Sequence, residues 1–554
     1  MAMLPVSLPR TEALKARISS IEAWRLPQEP GTLAPPGVAS NKDQDPVPEH
    51  QWTWTGWDFA TYWMSDLINI TSWQIAASAM LVGLSTADAV VITLLSGVLN
   101  SIPTVLNGGP GVDHRIPFPI AVRSAYGYYF GSFCVVSRAI IAMTWFGVNC
   151  WVGSAAMTET IAALWPEYRT IKNHLPASAH ITTQQMVSYF LFFLAQLPFF
   201  IIPLHKLRKL FLWKAILLLP VSVAMVLWIC VKAGDVKGIF AQPATVSGST
   251  RVWLWLSTFS GITNSWLTSA ANMSDFSRFS KTRYAPYSQI PTIPIVKTVY
   301  AILGIATVGA GRVLYNEDIW SPIELLPKWT GSGGRFLAFF CGCLWMLAQI
   351  SCSVSANSVP FGHDVMSLAP AWINVRRGSM LCLFLGSWAV VPWFLVSSAS
   401  QFLLFMNAYG CFICAMVSIM ICDYWVVNRR RLDIPALYNP HGRYRFNAGF
   451  NWRAAVVQFG FLAIFLPGII HQINPSVQIS IGMERIFHLN WFISTIGPFI
   501  VYWMLNQLFP HRSTKLSASI TVLDGQTLDA SQSVASDKEP SKQANNEKSM
   551  IVGN

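Results

Sequence analysis

The sequence predicts an all-α polytopic membrane protein of about 12 transmembrane helices, on three observations. Of its 554 residues, 53% are hydrophobic and only 12% are charged, against roughly 25% charged in a typical soluble domain. Runs of about 20 apolar residues recur along the chain, each long enough to cross a hydrocarbon layer. The bases behind the net charge of +12 fall in short connections between those runs, a pattern that orients a membrane protein and gives no reason to expect nucleic acid as a partner.

Three regions follow. Residues 1–56 are polar and rich in proline, read as a flexible cytosolic tail ending in NKDQDPVPEH. They hold no cleavable signal-peptide pattern, and packing of this tail on cytosolic loops is a further expectation. Residues 57–509 form the transmembrane domain, and residues 510–554, rich in Ser, Lys and Asn, form a disordered cytosolic tail. Lys538, Lys542 and Lys548 there are candidate ubiquitin acceptors for ligase machinery, the alternative being a solvated tail.

The spans expected from a window of about 19 residues lie near 57–83, 86–107, 129–163, 183–203, 211–232 and 252–277, then 290–311, 335–367, 378–396, 399–423, 452–471 and 488–509. The third must include turns outside the membrane. Even-numbered connections carry the bases: Arg115 and Arg123, then Lys206, Arg208, Lys209 and Lys214, then Arg278, Lys281 and Arg283, then Arg376 and Arg377, and finally Arg429, Arg430, Arg431, Arg443 and Arg445. Both termini are therefore expected in the cytosol. The ten cysteines, Cys134, Cys341, Cys343 and Cys411 among them, fall in apolar segments without metal-ligand spacing, so neither a disulfide framework nor a metal or cofactor site is expected.

The chemistry is expected where polar side chains interrupt apolar runs, since each costs free energy in hydrocarbon. The densest interruption is LAQISCSVSANSVPFGHD, residues 347–364, with Gln349, Ser351, Ser353, Ser355, Asn357 and Asp364. Ser353 and Asn357 share a helical face and Asp364 lies two turns on. Small residues also serve close helix packing, but that needs neither an amide nor a carboxylate, so this segment reads as the wall of a polar cavity. In the first span, YWMSDLINITSW places Asp66 and Asn69 at membrane depth, followed by Thr71 and Ser72, which weakens a regular helix. A broken helix exposes backbone groups able to bind ions or substrate dipoles; a Ser/Thr-bonded kink is the other reading.

In the third span, TWFGVNCW sets Trp145 and Asn149 on one face. A ring beside an amide suits a planar heterocycle, although tryptophan is also ordinary bundle filling. The sixth span combines Gly261, Asn264, Ser265 and Trp266 and again suggests an interrupted helix, with Asp275 and Arg278 at its cytosolic end. Spans one and six are corresponding members of two five-helix halves, where paired broken helices are expected. In the tenth span, Phe402, Met406 and Tyr409 read either as a gate or selectivity filter or as core packing. No nucleophile–base motif appears at membrane depth, so an enzyme is not expected.

Ordered motifs over about residues 40–510 resemble the nucleobase:cation symporter family one, in particular its fungal branch of uracil, allantoin, uridine and thiamine permeases: NKDQDPVP with TWTGW, YWMSDLINITSW, FPIAVRSAYG, TWFGVNCW, NMSDFSRFSK, AQISCSVSANS with WINVRRG, CDYWVVNRRR and FNWRA. The resemblance implies a five-plus-five inverted-repeat (LeuT-like) fold with two further C-terminal helices and alternating access around a central site. By analogy with the family's bacterial hydantoin permease, Trp145 and Trp266 would sandwich a planar substrate. Asn149 and Asn357 would bond its edge, with Ser265 and Asn69 contributing. The family's cation site maps onto Ser65, Ile68, Ala348, Ser351 and Cys352. Asn149 stands where Gln is usual, and Cys352 where the sodium-coupled relative has Thr. A thiol suits a hard cation poorly, so a proton is the expected coupling ion and sodium the lesser one. Asp364 and Asp66 are the candidate proton carriers.

The resulting expectation is a plasma-membrane proton symporter that imports a small planar nitrogenous compound and contacts lipid on its outer surface. Uracil, allantoin or a related nucleobase or purine derivative comes first. A nucleoside or a thiamine-type vitamin is second, with Asp66 as the discriminating residue because thiamine is cationic. A nutrient sensor with little transport on the same scaffold is third.

Overall fold

Helix starts are set locally. Thr55 donates its N–H to Asp58 Oδ2 at 2.8 Å, and Ser85 does the same to Asp88 at 3.1 Å, which satisfies N-terminal backbone donors that a helix leaves unpaired. The structure, a computed structural model, describes residues 21–27, 32–202, 204–511, 516–523 and 526–529. In chain order the main helices are α1 (Gly56–Leu67), α2 (Ile70–Leu81), α3 (Thr86–Asn107), α4 (Phe118–Tyr126), α5 (Phe130–Leu164), α6 (Thr183–Ile201), α7 (Leu204–Ala233), α8 (Gly248–Asn264) and α9 (Leu267–Ala271). They continue with α10 (Gln289–Tyr315), α11 (Gly331–Cys352), α12 (Val359–Leu368), α13 (Val375–Trp388), α14 (Ala399–Ile421), α15 (Trp452–Ile473) and α16 (Asn490–Leu508).

Among the described residues, eight helices are long and apolar enough to cross a membrane. They match expected spans two to five, seven, eight, ten and eleven. The other four fall short for visible reasons. Span one is divided into α1 and α2, and span six into α8 and α9. In the ninth span the helix, α13, has only 14 residues, and α16 is diluted by buried Asn490, Ser494 and Asn506. The third span departs from expectation in the other direction: Phe130–Leu164 is one helix of 35 residues, with no turn inside it, about 50 Å long at 1.5 Å per residue.

The expected interruptions are present. Ile68 (ψ 81°) and Asn69 (φ −154°, ψ 170°) separate α1 from α2, and Ser265 and Trp266 separate α8 from α9. The segment between α11 and α12, Ser353–Ser358, is a π-turn. Its wider turn changes the phase of the helix, so the i, i+4 face assumed for Ser353 and Asn357 does not hold.

Two aromatic contacts on Trp73 join α2, α10 and α11: its ring meets Tyr300 at 5.8 Å and Trp345 at 5.9 Å, both edge to face. Glycines let α10 approach closely. A Cβ on Gly97 of α3 would lie 2.7 Å from Pro294 Cα, and one on Gly304 would lie 2.8 Å from the Trp73 carbonyl.

One end of the bundle, here the terminal face, carries the segment before α1 as a packed strap. Gln44 and Val47 are buried. The Gln44 carbonyl accepts from Tyr438 Oη at 2.7 Å, the Asp43 carbonyl from Arg278 Nη1 at 2.7 Å, and Lys281 N donates to Trp54 O at 2.7 Å. Arg115 stacks on Trp52, 3.8 Å from the ring centroid. The expectation of a tail packing on the loops therefore holds for residues 32–55; residues 1–20 lie outside the description. On the same face Ile520 N bonds Leu432 O at 2.9 Å, and strands β1 (Ile520–Leu523) and β2 (Gln526–Asp529) pair antiparallel, so this part of the C-terminal tail departs from the disorder expected of it. Lys538, Lys542 and Lys548 lie outside the described residues.

Because the atom facing Gly97 belongs to the backbone of Pro294, Gly97→Ala should push α3 and α10 apart. The expected cost is about 1–3 kcal/mol, read as a lower melting temperature of the purified protein. An unchanged melting curve would show that the two helices separate without strain.

Candidate functional site

An interrupted helix inside a bundle must find partners for the backbone groups it frees, and at the first break those partners build the site. Asn69 caps α2, its Oδ1 accepting from Ser72 N at 2.8 Å, while its amide donates to the Asp66 carbonyl. Gln349 from α11 accepts from Ile70 N at 3.3 Å. Lys214 from α7 reaches the Ser65 carbonyl with Nζ at 2.8 Å.

From there the network spreads to α5. Thr71 Oγ1 donates to Asn149 Oδ1 at 2.8 Å. Gln349 Nε2 donates to Thr71 Oγ1 at 3.1 Å and to Asn149 Oδ1 at 3.3 Å. Cys352 Sγ lies 3.5 Å from Asn69 Nδ2 and 3.7 Å from Asn149 Nδ2. Asp66 is buried and accepts from Ser355 Oγ at 2.7 Å. Asn69, Asn149, Asp66 and Cys352 therefore meet in one place, while Ser65 lies on α1, Ile68 in the break and Ala348 on α11.

The second break is held the same way. The Ile262 carbonyl receives Ser265 Oγ at 2.7 Å and Lys297 Nζ at 3.3 Å. The Thr263 carbonyl receives Asn100 Nδ2 at 2.8 Å, and the Asn264 carbonyl receives Tyr409 Oη at 2.8 Å. Trp266 is half-buried, its ring 6.0 Å from Trp63 at 72°.

Tyr409 also links this break to α5. The Trp145 ring is enclosed by Phe402 at 5.9 Å, Phe405 at 5.5 Å and Tyr409 at 6.2 Å, and its Nε1 is buried without a partner. Two of the three expected gate residues thus pack on the expected stacking ring; Met406 is buried in the main apolar core. Asn357, in the π-turn, makes one long bond, Nδ2 to Cys352 O at 3.4 Å, so most of its amide is uncommitted. Ser351 Oγ is buried without a partner.

Asp364 stands apart. It is 0% exposed and ion-paired with Arg138 of α5, whose Nη2 also bonds Pro360 O at 2.8 Å. Two bases were missed in the sequence. Arg138 sits within the apolar run FCVVSRAII, where an isolated base calls for a buried partner. Lys214, expected in a loop with Lys206, Arg208 and Lys209, is instead 0% exposed inside α7. The signal for it was the apolar sequence AILLL directly after it.

Comparison with known proteins bears on this arrangement. Residues 46–494 match a family described as permeases for cytosine/purines, uracil, thiamine and allantoin. An uncharacterized permease of Schizosaccharomyces pombe is 30% identical over 87% of this chain and 86% of its own length. Nicotinamide riboside transporter 1 of Saccharomyces cerevisiae is 30% identical over 86% of this chain and 80% of its own. Among solved structures, Mhp1, a nucleobase-cation-symport-1 family transporter in a closed conformation with bromovinylhydantoin bound, superposes with a TM-score of 0.66 at 18% identity, covering 86% of this chain and 98% of that one.

Removing one partner of a buried ion pair strands the other charge, at a cost of about 3–5 kcal/mol. Arg138→Met and Asp364→Leu should each lower the melting temperature sharply, and the double variant should recover most of the loss. A double variant as unstable as the sum of the singles would show that the two charges are not coupled.

Proposed function

The chain belongs to the family of permeases for cytosine/purines, uracil, thiamine and allantoin, and from that premise we propose that it is a proton-coupled importer of a planar nitrogenous compound working by alternating access. The observation that carries this reading is the joining of two broken helices at α5, where Tyr409 bonds the second break and packs on Trp145 while Thr71 beside the first break bonds Asn149. Trp145 stacks the ring of the ligand from α5 and Trp266 from the second break. Asn357 reads its edge. Asn149, held by Thr71 and Gln349, keeps only its Nδ2 side for a ligand. Uracil, allantoin or a related nucleobase fits this donor–acceptor set.

Proton coupling is supported by the first break. A sodium ion there would face the thiol of Cys352 and the ammonium of Lys214, which already occupies the Ser65 carbonyl at 2.8 Å. Neither suits a hard cation that wants oxygen ligands. Asp66, beside this ammonium, and Asp364, on Arg138, are the carboxylates available to carry the proton. A second reading, a nucleoside or thiamine-type vitamin, is favoured by Asp66, whose Oδ1 accepts from Ser355 while its Oδ2 has no hydrogen-bond partner to meet a donor on the ligand. Location in the plasma membrane, 12 spans in a five-plus-five repeat plus two, and a cytosolic terminal face complete the proposal; the base-rich loops of that face support its orientation.

Labelled uracil uptake in a fungal strain lacking its own permeases tests the reading, with allantoin, uric acid, uridine and thiamine as competitors at acidic and neutral pH. Uptake is expected to rise at acidic pH, to be blocked by one competitor, and to fall by about tenfold or more in Asn357→Ala, the loss of one buried bond. Surface-expressed protein that takes up neither uracil nor any labelled competitor would overturn import and favour a sensor.

A further inference from the structure

At the end of the bundle opposite the terminal face lies a cavity of about 540 Å³. Its walls include Gln74, Trp151, Trp320 and Glu324. We propose that this cavity is a second, outer substrate subsite, which receives a planar heterocycle through its N–H edge before the ligand reaches the central site.

Four observations support it. Gln74 is 5% exposed, and its Oε1 has no hydrogen-bond partner. Leaving such an acceptor unmet costs about 1–3 kcal/mol, so the position is built for a donor. Second, Glu324 is the acceptor left over among the cavity's acids. Glu317 is engaged by Lys328 at 2.6 Å and Asp318 by Arg312 at 2.6 Å, and Glu159 pairs with Arg169. Glu324 instead accepts a backbone N–H, from Trp320 at 3.1 Å.

Third, Trp151 and Trp320 supply aromatic surface, which binds a heterocycle in preference to an aliphatic solute. Fourth, the cavity stands on the central site. Gln74 is one helical turn beyond Thr71 on α2, and Val152, also in the cavity wall, is one turn beyond Asn149 on α5. Thr71 and Asn149 bond each other at 2.8 Å, so a ligand leaving Gln74 meets the central amides next.

The subsite rests on the substrate class proposed above, and the test separates the two. Equilibrium binding of radiolabelled uracil, allantoin, uridine, thiamine and nicotinamide riboside is measured on the purified full-length protein. For the compound that binds, two equivalents per chain are expected. Gln74→Leu and Glu324→Ala should each reduce this to one and leave the tighter equivalent unchanged. Asn357→Ala should instead remove the tighter one. Glu324 is partly exposed in a connection, so Glu324→Ala decides the matter if Gln74→Leu fails to fold. A single equivalent, lost in Asn357→Ala and untouched by both cavity variants, overturns the subsite and leaves the substrate class standing. Binding of none of the five overturns the substrate class and the subsite with it.

Discussion

A helix broken in the middle of a bundle depends on side chains from other helices to bond its freed backbone groups, and this constraint orders the whole site. At the first break Asn69 caps one side, Gln349 meets Ile70 N, and Lys214 meets the Ser65 carbonyl. At the second, Asn100, Lys297 and Tyr409 meet three successive carbonyls. These partners come from α3, α7, α10, α11 and α14. Each break is therefore held by elements far away in sequence, and none can shift without exchanging hydrogen bonds. A small-molecule site placed there is coupled to the arrangement of the helices by construction, which is what alternating access requires.

The terminal face is closed by a different set of contacts. The strap of residues 32–55 bonds the connection after α9 through Asp43–Arg278 and Trp54–Lys281, and Gln44 ties it to Tyr438. Asp275 accepts from Phe118 N at 2.8 Å, which fixes the short helix α4 against the same region. Deeper in, Arg138 and Asp364 join α5 to α12. A buried pair is a poor source of net stability but a strong constraint on geometry. It suits a contact that must form in one arrangement of the helices and open in another.

Much of this was legible in the sequence, for a definable reason. Asp66, Asn69, Asn264 and Ser265 weaken helices locally, so both breaks could be placed to within a residue or two. Trp145, Asn149 and Asn357 stood out because polar or flat side chains are costly or specific at membrane depth. The π-turn at Ser353–Ser358 was not legible: its sequence of small residues is compatible with an ordinary helix, and the wider turn depends on tertiary packing. Lys214 was misplaced because a base following Lys206, Arg208 and Lys209 looks like the end of a loop. Only the fold reveals that the Ser65 carbonyl awaits it. Arg138 was passed over because its partner is more than 200 residues away in the chain. The length of α5 was likewise set by packing.

The two breaks are chemically unequal, and this divides the labour between them. The first gathers a carboxylate, an ammonium, a thiol and three amides within one network. At the second, residues 262–266 receive bonds from a lysine, hydroxyls, a thiol and amides, and no acidic side chain among the described residues bonds to them. Under the proposed proton coupling, the proton would act where an acid and a base lie around the same break, Asp66 bonded by Ser355 and Lys214 on the neighbouring Ser65 carbonyl. The proposed ring recognition needs no change of charge, only shape and an aromatic surface, which Trp266 and the Trp145–Tyr409 cluster would provide. Tyr409 bonds the Asn264 carbonyl at 2.8 Å while packing on Trp145, which ties the Trp145 cluster to the second break. Thr71 bonds Asn149 one turn from Trp145, which ties the same part of α5 to the first break. A ligand stacked on Trp145, as proposed, would therefore reach each broken helix through one intervening side chain, Tyr409 or Asn149, without any relay through the outer bundle.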